Sequence, residues 1–476
     1  MRYQILSVFA ALTASAACGD LTSINDNPNG PTDVQPPSML SNAIQTVVDR
    51  VDGPNNNLDT RGGGLWVQYY AEIQYRDEDK YIVRPGVDGE WGMYSGPLED
   101  FQRMINKGVA ASVPNWEAVG RIMKSYVFSV MTDAMGDIPY SEAFQERALL
   151  TPKYDTQQAI YTALFADLAK ADQQIDPAGI GFGSGDIMYG GDMTTWRKFA
   201  NSLRLRLAMH LTKVAPATAQ SEALAAVTAG VFASNDESAQ LMYLASAPNQ
   251  NPIYTNVHVD KRDDYGMSKT LVDSMRSWND PRLPIYAQPN DTGAYEGLPN
   301  GLNDGAGPEL KYISRFGTFW RETPAAPLAL LTYSEVLFLE AEAAERGWIT
   351  GNAAQLYADA IRASMEQYGI ATTAIDAYLA QPRVVYATGA AGLTQIAYQK
   401  WVSLFMQGME GWTEVRRTGV PALVPGPNAK LTKIPERLPY SDNEAVLNKA
   451  NLDAAVAAQR FTSSTDLTTP LWFTGR

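Results

Sequence analysis

Residues 332–368 read TYSEVLFLEAEAAERGWITGNAAQLYADAIRASMEQY, and this stretch decides the fold class. Thr332 followed by Glu335 fits a capping box, so a helix is predicted to begin here and to end at Gly347. A second helix is predicted from Asn352 to Tyr368. Because only a few residues separate the two segments, we expect them to fold back on each other as a helical hairpin.

The small residues of this hairpin have a spacing that resembles a tetratricopeptide repeat, in which two helices approach closely. One such hairpin cannot bury its own apolar face, so other helices must stack on it. Helical patterns elsewhere supply them: Ser38 to Val51, Leu98 to Gly136, Thr156 to Ile175, Asp192 to Leu211, and Thr394 to Arg417. The predicted fold is mainly α, with tetratricopeptide-like helical hairpins (an α-α superhelix), long loops and a few short β-strands.

Helical periodicity fades between about Ala233 and Pro327, where Pro, Gly, Asn and Asp recur among aromatic residues. Short strands are predicted near Gln240–Leu244 and Glu309–Phe319. A loop region this long in a compact chain is usually either functional or disordered, and its many aromatic residues argue against disorder. We therefore expect part of a binding site here.

The first residues have the anatomy of a secretory signal, with Arg2 before an apolar run from Ile5 to Leu12 and a small-residue stretch ending at Ala17. The run is shorter than the about 20 apolar residues that span a bilayer. Ser15-Ala16-Ala17-Cys18 resembles a bacterial lipobox, although Ser15 stands where an aliphatic residue is usual. We expect a lipid on Cys18; the alternative is an ordinary signal peptide, with Cys18 a free thiol.

The domain prediction follows from this beginning. A signal peptide is expected at 1–17, a lipidated N-terminal tether rich in proline at 18–37, and a single α-rich ligand-binding domain at 38–476. No later segment approaches transmembrane length, so the lipid on Cys18 is the only predicted membrane contact.

Composition argues against several classes of function. The formal net charge is −14, which disfavours binding to nucleic acid. With one cysteine and two histidines, His210 and His258, the chain lacks the donors of thiolate or histidine-rich metal sites and of most Ser-His or Cys-His catalytic groups. His210 lies within a helical pattern, where a packed or surface role is expected. We predict no catalytic residue, no metal, no cofactor and no enzymatic activity.

The stretch from Arg61 to Val83, RGGGLWVQYYAEIQYRDEDKYIV, combines three glycines, several aromatic residues and the acidic triplet Asp77-Glu78-Asp79. No Gly-Lys-Ser/Thr follows the glycines, so this is not a phosphate-binding loop. Tyr75 and the triplet are typical of the exposed edge of a site. The alternative for Trp66 and Tyr70 is a helix whose rings fill the core.

Rings with a polar group suit surfaces that bind sugars or peptides, and the chain has 24 tyrosines and 10 tryptophans. The predicted ligand contacts come from this stretch and from the long loop region. They are Trp66, Tyr69, Tyr75, Asp77, Asp79, Tyr265, Phe316 and Trp320.

Several short motifs recur in a specific order along nearly the whole chain. They are Asp26-Asn27-Pro28-Asn29 with Pro31-Thr32, Trp66 to Tyr81, Gly136-Asp137-Ile138-Pro139-Tyr140, Gly190-Gly191-Asp192-Met193, Trp196 to Leu211, and Lys400-Trp401 through Trp412 to Arg417. In this order the sequence resembles the SusD/RagB family of nutrient-binding outer-membrane lipoproteins, specifically its SusD-like branch.

The resemblance implies a lipid-anchored protein of the outer membrane that faces the cell exterior and binds an oligosaccharide or a peptide. It also implies a partner, a SusC-like TonB-dependent transporter, over whose mouth the lipoprotein sits as a lid.

Two alternative functions remain open at this level. One is a surface glycoside hydrolase using paired carboxylates, for which Asp77, Glu78 and Asp79 are the candidates; that chemistry needs carboxyl groups about 5–5.5 Å apart for retention or about 6.5–9.5 Å for inversion. The other is a structural or adhesive helical-repeat scaffold, which would bind a protein partner but no small ligand.

Overall fold

The computed structural model describes residues 33–54, 57–84, 91–145 and 148–475. The signal-peptide prediction at 1–17, the lipid attachment at Cys18 and the motifs at 26–32 lie outside the described residues. Within them, no helix combines the length and the apolar character needed to cross a membrane.

Helices dominate the described chain. The longer ones are α1 (Pro36–Val51), α2 (Glu99–Ala111), α3 (Pro114–Met135), α4 (Gln157–Gln174), α5 (Met193–His210), α6 (Pro216–Ala229), α7 (Lys269–Ser277), α8 (Tyr333–Glu345), α9 (Ala353–Glu366), α10 (Thr372–Leu379), α11 (Ala390–Ser403), α12 (Gly408–Thr418) and α13 (Lys449–Ala458). Single helical turns lie at Leu58–Arg61, Gly63–Trp66, Pro252–Tyr254, Leu283–Tyr286, Thr318–Arg321 and Glu444–Leu447.

The hairpin predicted at 332–368 is present as α8 and α9. The side chain of Thr332 accepts a hydrogen bond from the backbone of Glu335, and Asn352 caps α9 in the same way. Ala341 and Ala360 are fully buried, so the small side chains lie where the two helices meet. Gly347 has a φ of +71°, a left-handed conformation that favours glycine and ends the hairpin's first arm.

Other helices stack on this hairpin in chain order. Helices α2 to α6 pack each on the next, α8 contacts α5, and α11 packs against both α8 and α9. This arrangement of stacked hairpins confirms the predicted fold class. It buries one large apolar core, and a second cluster of buried side chains fills the space around the hairpin itself.

Two small sheets are present, and each has one strand within the long loop region predicted at about 233–327. Strand β1 (Tyr70–Glu72) pairs antiparallel with β3 (Tyr265–Met267), and β2 (Ala239–Leu241) pairs antiparallel with β4 (Leu328–Leu331). The strand predicted near Gln240–Leu244 is therefore shorter and begins one residue earlier. The strand predicted at Glu309–Phe319 is wrong, because that segment contains a helical turn and only an isolated bridge between Ala287 and Phe316.

The helix predicted from Thr394 to Arg417 is two helices, α11 and α12. Met406, between them, has a φ of +74°, which no continuous helix contains. The break lets α12 begin at Gly408 against the backbone of Gly64, where a Cβ on Gly408 would lie 2.2 Å from the Gly64 nitrogen. Gly63 serves the same close approach of two backbones, because a Cβ on it would lie 2.6 Å from the Gly408 carbonyl carbon and the Met409 nitrogen.

Charged side chains join the helices inside the core. The Arg206 Nε donates to Glu335 over 2.7 Å, linking α5 to α8, and Arg417 donates to Glu342 over 2.8 Å, linking α12 to α8. His210 is buried in a packed position, one of the two roles expected from its sequence context, with Asp133 on one ring nitrogen and Glu410 on the other. Such pairs fix which helices meet, because a buried charge without its partner is costly.

Candidate ligand-binding site

A cavity of about 310 Å³ opens where β1 and β3 pair, and we call it the tyrosine cavity. Its walls come from two regions far apart in the sequence, 60–84 and 256–265. Its described lining residues are Thr60, Glu72, Gln74, Tyr75, Glu78, Arg84, Asn256, Asp260, Arg262, Asp264 and Tyr265. Long loops carrying aromatic and charged residues thus meet on a rigid helical body, which is typical of ligand sites.

Tyr75 is the exposed ring of the tyrosine cavity, with 60% of its surface accessible. The guanidinium of Arg262 lies 6.0 Å from the centre of that ring, and Arg84 donates to the Tyr75 carbonyl over 2.9 Å. Tyr265, on β3, is half-buried and packs edge-on against the buried Tyr70 at 5.4 Å. The Tyr75 ring is therefore accessible to solvent, whereas the Tyr265 ring is held in place by its contact with Tyr70.

Asp264 organises the side of the cavity that faces Tyr75. Its carboxylate accepts hydrogen bonds from Gln74 at 2.6 Å, Arg262 at 2.6 Å and Asn256 at 3.0 Å. Burial opposes the negative charge, but these donors outweigh it and hold the pKa of Asp264 below its ordinary value. The three donors are thereby held in place before any ligand arrives.

A second group of carboxyls lies at the floor of the cavity, where Glu72 lines the cavity and Asp79 is buried beneath it. Glu72 and Asp79 each accept a hydrogen bond from the other's backbone nitrogen, at 3.2 and 3.0 Å. Burial, reinforced by the charges of Asp79 and Glu78, raises the pKa of Glu72 well above its ordinary value, to about 10. Asn300 donates to the other oxygen of Asp79 over 2.7 Å, which ties this loop to a distant segment.

Backbone strain is concentrated in the two loops that form the cavity. Tyr75, Tyr81, Lys261 and Asp263 all have φ between 58° and 63°, a conformation that residues other than glycine rarely adopt. Strain of this kind persists only where the surroundings enforce it, and it recurs at functional sites.

The structure separates the eight residues predicted from sequence as ligand contacts. Tyr75 and Tyr265 line the tyrosine cavity, and the half-buried Asp77 lies beside it, 3.7 Å from Arg84. Asp79 is buried beneath the floor. The others lie elsewhere in the core: Trp66, Tyr69, Phe316 and Trp320.

The buried rings of the first stretch have internal partners. Trp66 packs against Trp412 at 5.0 Å and donates to the Glu78 carbonyl over 3.2 Å, while Tyr69 donates to the Trp401 carbonyl over 2.6 Å. For Trp66 this matches the core alternative that the sequence left open. These rings have no surface for a ligand, because each polar atom is already bonded and each face is covered.

Sequence reasoning missed the charged residues of the cavity, chiefly Arg84, Arg262 and Asp264. One signal was present. The segment KRDDY at 261–265 repeats the character of YRDEDK at 75–80, an aromatic residue beside a dense cluster of both charges. Charges of both signs beside an aromatic residue in each of two loops indicate one shared site.

Comparison with known proteins identifies the family of this chain. The family model SusD-like_2, described as "Starch-binding associating with outer membrane", matches residues 28–441. The chain belongs to the SusD-like family. It is therefore a nutrient-binding protein that associates with the outer membrane, in a family whose ligands are of the carbohydrate type.

Solved structures of SusD-like proteins are similar to this chain over nearly its whole length. A chitin-binding protein shares 30% identity at a TM-score of 0.82, over 93% of this chain and 100% of that one. A chitin-binding SusD homologue from Flavobacterium johnsoniae shares 27% identity at 0.79, over 92% and 97%. A SusD homologue from Bacteroides fragilis NCTC 9343 shares 26% identity at 0.80, over 93% and 100%. No curated protein sequence matched the chain.

Proposed function

We propose that this SusD-like protein captures an oligosaccharide in the tyrosine cavity and delivers it to a SusC-like TonB-dependent transporter, acting as that transporter's lid. A lipid on Cys18 holds it at the outer membrane, facing the cell exterior. The observation that carries the proposal is the exposed ring of Tyr75, which lies with Tyr265 in a cavity whose other described lining residues are polar or charged.

The residues of the cavity suit a sugar in two ways. The faces of Tyr75 and Tyr265 accept the apolar face of a pyranose ring, as aromatic side chains do in ligand sites. Around them, Gln74, Asn256 and Arg262 offer donors to hydroxyl or acetamido oxygens. Two solved relatives are named as chitin-binding, which favours an oligosaccharide over a peptide as the ligand class.

The three carboxyl groups of the acidic triplet at 77–79 have partners within the protein, which favours binding over hydrolysis by this triplet. Glu78 accepts a hydrogen bond from Arg84 over 2.9 Å. Both oxygens of Asp79 already accept hydrogen bonds, from Glu72 and Asn300, and the side chain is buried. Asp77 lies within 3.3 Å of Lys80, at the surface. A glycosidase needs one carboxylic acid and one free carboxylate facing the same bond, and Asp79 is not free to take either part.

The first experiment is isothermal titration calorimetry with chitin and starch oligosaccharides and with a mixed peptide pool. We expect saturable binding of one oligosaccharide, and its loss when Tyr75 and Tyr265 are both changed to alanine. Saturable binding of peptides alone would reassign the ligand class. Release of reducing sugar that stops in Asp77→Asn or Asp79→Asn would make the protein a hydrolase.

Partnership is tested by mild-detergent pull-down of the tagged protein from outer membranes. We expect a stoichiometric β-barrel transporter to co-purify with the native chain. The Cys18→Ala variant is expected to leave the membrane fraction while still binding sugar, because the described residues that line the tyrosine cavity lie between Thr60 and Tyr265 in the sequence. Recovery of the native chain alone would remove the transporter from the proposal, and recovery with an unrelated surface protein would favour the scaffold alternative.

A further inference from the structure

A second cavity, of about 510 Å³, lies at the break between α11 and α12, and we call it the junction cavity. It shares no described lining residue with the tyrosine cavity. Its walls include β4 with the residues before it, the end of α9 and the helical turn at 318–321. Because the left-handed Met406 ends α11 here, the space follows from the same break that positions α12.

Aromatic rings form one side of the junction cavity. They are Phe319, Trp320, Tyr368 and Phe405. Phe319 packs edge-on against Tyr368 at 5.3 Å, and Trp320 packs edge-on against Phe405 at the same distance. Trp320 and Phe405 are almost fully buried, whereas Phe319 and Tyr368 are half-buried and still have surface to offer. This wall can cover the apolar face of a ligand.

Two polar lining residues of the junction cavity each have a side-chain oxygen without a hydrogen-bond donor in the described part of the chain. The Gln407 side chain is 3% exposed, and its Oε1 has no hydrogen-bond partner among the described residues; the buried Oδ1 of Asn235 has none either. A buried acceptor without a donor is costly, so such groups indicate a ligand or an ordered water.

The two cavities differ in the charge of their lining residues. Asp236 and Glu366, both exposed, are the charged residues of the junction cavity, and none of its described lining residues is basic. The tyrosine cavity, in contrast, has the guanidinium groups of Arg84 and Arg262. A ligand of the junction cavity must therefore bring hydrogen-bond donors and is favoured by a positive charge.

We propose that the junction cavity is a second saccharide site that binds an amino sugar with a free, protonated amine. An aromatic wall, four side-chain amides and two carboxylates suit the apolar face, the hydroxyls and the ammonium group of such a unit. An N-acetylated sugar lacks the ammonium group, and an acidic sugar would be repelled. This site does not depend on the tyrosine cavity, so either assignment can fail without the other.

The test uses calorimetry at about pH 6 with two probes, an oligomer of glucosamine and the matching oligomer of N-acetylglucosamine. The variant Asp236→Asn/Glu366→Gln keeps the shape of both side chains and removes their charge. We expect it to weaken binding of the glucosamine oligomer about tenfold and to leave binding of the N-acetylated oligomer unchanged. Asp453→Asn, an exposed acid on α13, is the matched control and should change neither.

Two further variants make the result specific to this cavity. Gln407→Met keeps the length of the side chain and removes the unpaired oxygen, so it should weaken glucosamine binding without lowering the melting temperature. Tyr75→Ala should leave glucosamine binding at the junction cavity intact.

Three outcomes overturn the proposal. The first is a double variant that binds the glucosamine oligomer as tightly as the wild type does. The second is an equal loss of affinity for both oligomers in the double variant. The third is displacement of the glucosamine oligomer only by a lysine-rich peptide that binds more tightly through Asp236 and Glu366.

Discussion

Glu72 and Tyr265 lie directly opposite each other across the antiparallel pair β1–β3, and both line the tyrosine cavity. They are 193 positions apart in the sequence. Residues opposite each other on one face of a sheet are neighbours, so this register alone brings the first aromatic stretch to the long loop region. The two-stranded sheet thus brings together the two sequence regions that form the tyrosine cavity.

Tyr75→Ala is expected to weaken oligosaccharide binding about tenfold, because the exposed ring provides a stacking surface and little else. The melting temperature should stay within about 1 °C of the wild type, since 60% of the ring is accessible. Calorimetry and thermal unfolding check the two parts. Tyr312→Ala, at another exposed ring outside the cavity, is the control. Unchanged affinity in Tyr75→Ala would remove this ring from the site.

Trp66→Ala is expected to destabilise the protein by about 3–5 kcal/mol, because the ring is fully buried against Trp412. Trp66→Phe retains an apolar ring but loses the bond to the Glu78 carbonyl and the volume of the second ring, so we expect a smaller cost, about 2 kcal/mol. Urea unfolding measures both. The folded Trp66→Phe variant should bind ligand as the wild type does; a clear loss of affinity would return Trp66 to the contact set.

Arg282→Met is expected to cost about 3–5 kcal/mol, because it leaves the buried Asp280 without its ion pair. Arg282 also donates to Ser364 on α9 at 3.0 Å and to Gln399 on α11 at 2.9 Å, so it ties the long loop region to the hairpin. Arg276→Met, which breaks an exposed pair with Glu296, should cost no more than about 1 kcal/mol. Equal costs in the two variants would mean that the buried network adds no stability.

The buried His210 predicts a pH dependence of stability. Burial opposes its charge, but Glu410 and Asp133 outweigh burial and raise the pKa of His210 to about 9, from 6.5 when unfolded. The folded state therefore binds the proton more tightly, so this contribution is complete below pH 6.5 and is lost as the pH rises to about 9. Its size is of the order of 3 kcal/mol.

Urea unfolding of the wild type and of His210→Gln at pH 6.5 and at about pH 9 isolates the contribution of His210. Other groups whose pKa is raised by burial, such as Asp59, titrate in both proteins and therefore cancel in the comparison. The wild type should lose more stability than the variant between pH 6.5 and 9. An identical loss in both would mean that His210 is neutral in the fold.

Local pattern was enough to predict much of the helical architecture. Thr332, Asn352 and Asp192 each cap the helix that the sequence places after them, and Gly347 ends α8. These features depend on neighbours within one or two turns, which a sequence displays directly. The break at Met406 was missed because an apolar stripe continues through it.

By itself the sequence determined the fold class and the family, and it predicted the two regions that form the candidate ligand site, because periodicity, capping residues and motif order are local properties of a chain. The tertiary structure decided which aromatic rings meet solvent. Trp66 and Tyr75 belong to one stretch of mixed aromatic and polar residues, and their sequence surroundings do not distinguish them. In the structure Trp66 is buried beneath Trp412, whereas Tyr75 is 60% exposed. The burial of a side chain depends on which distant segments of the chain pack against it. Helix α12 packs over Trp66, whereas no segment of the described chain covers most of Tyr75.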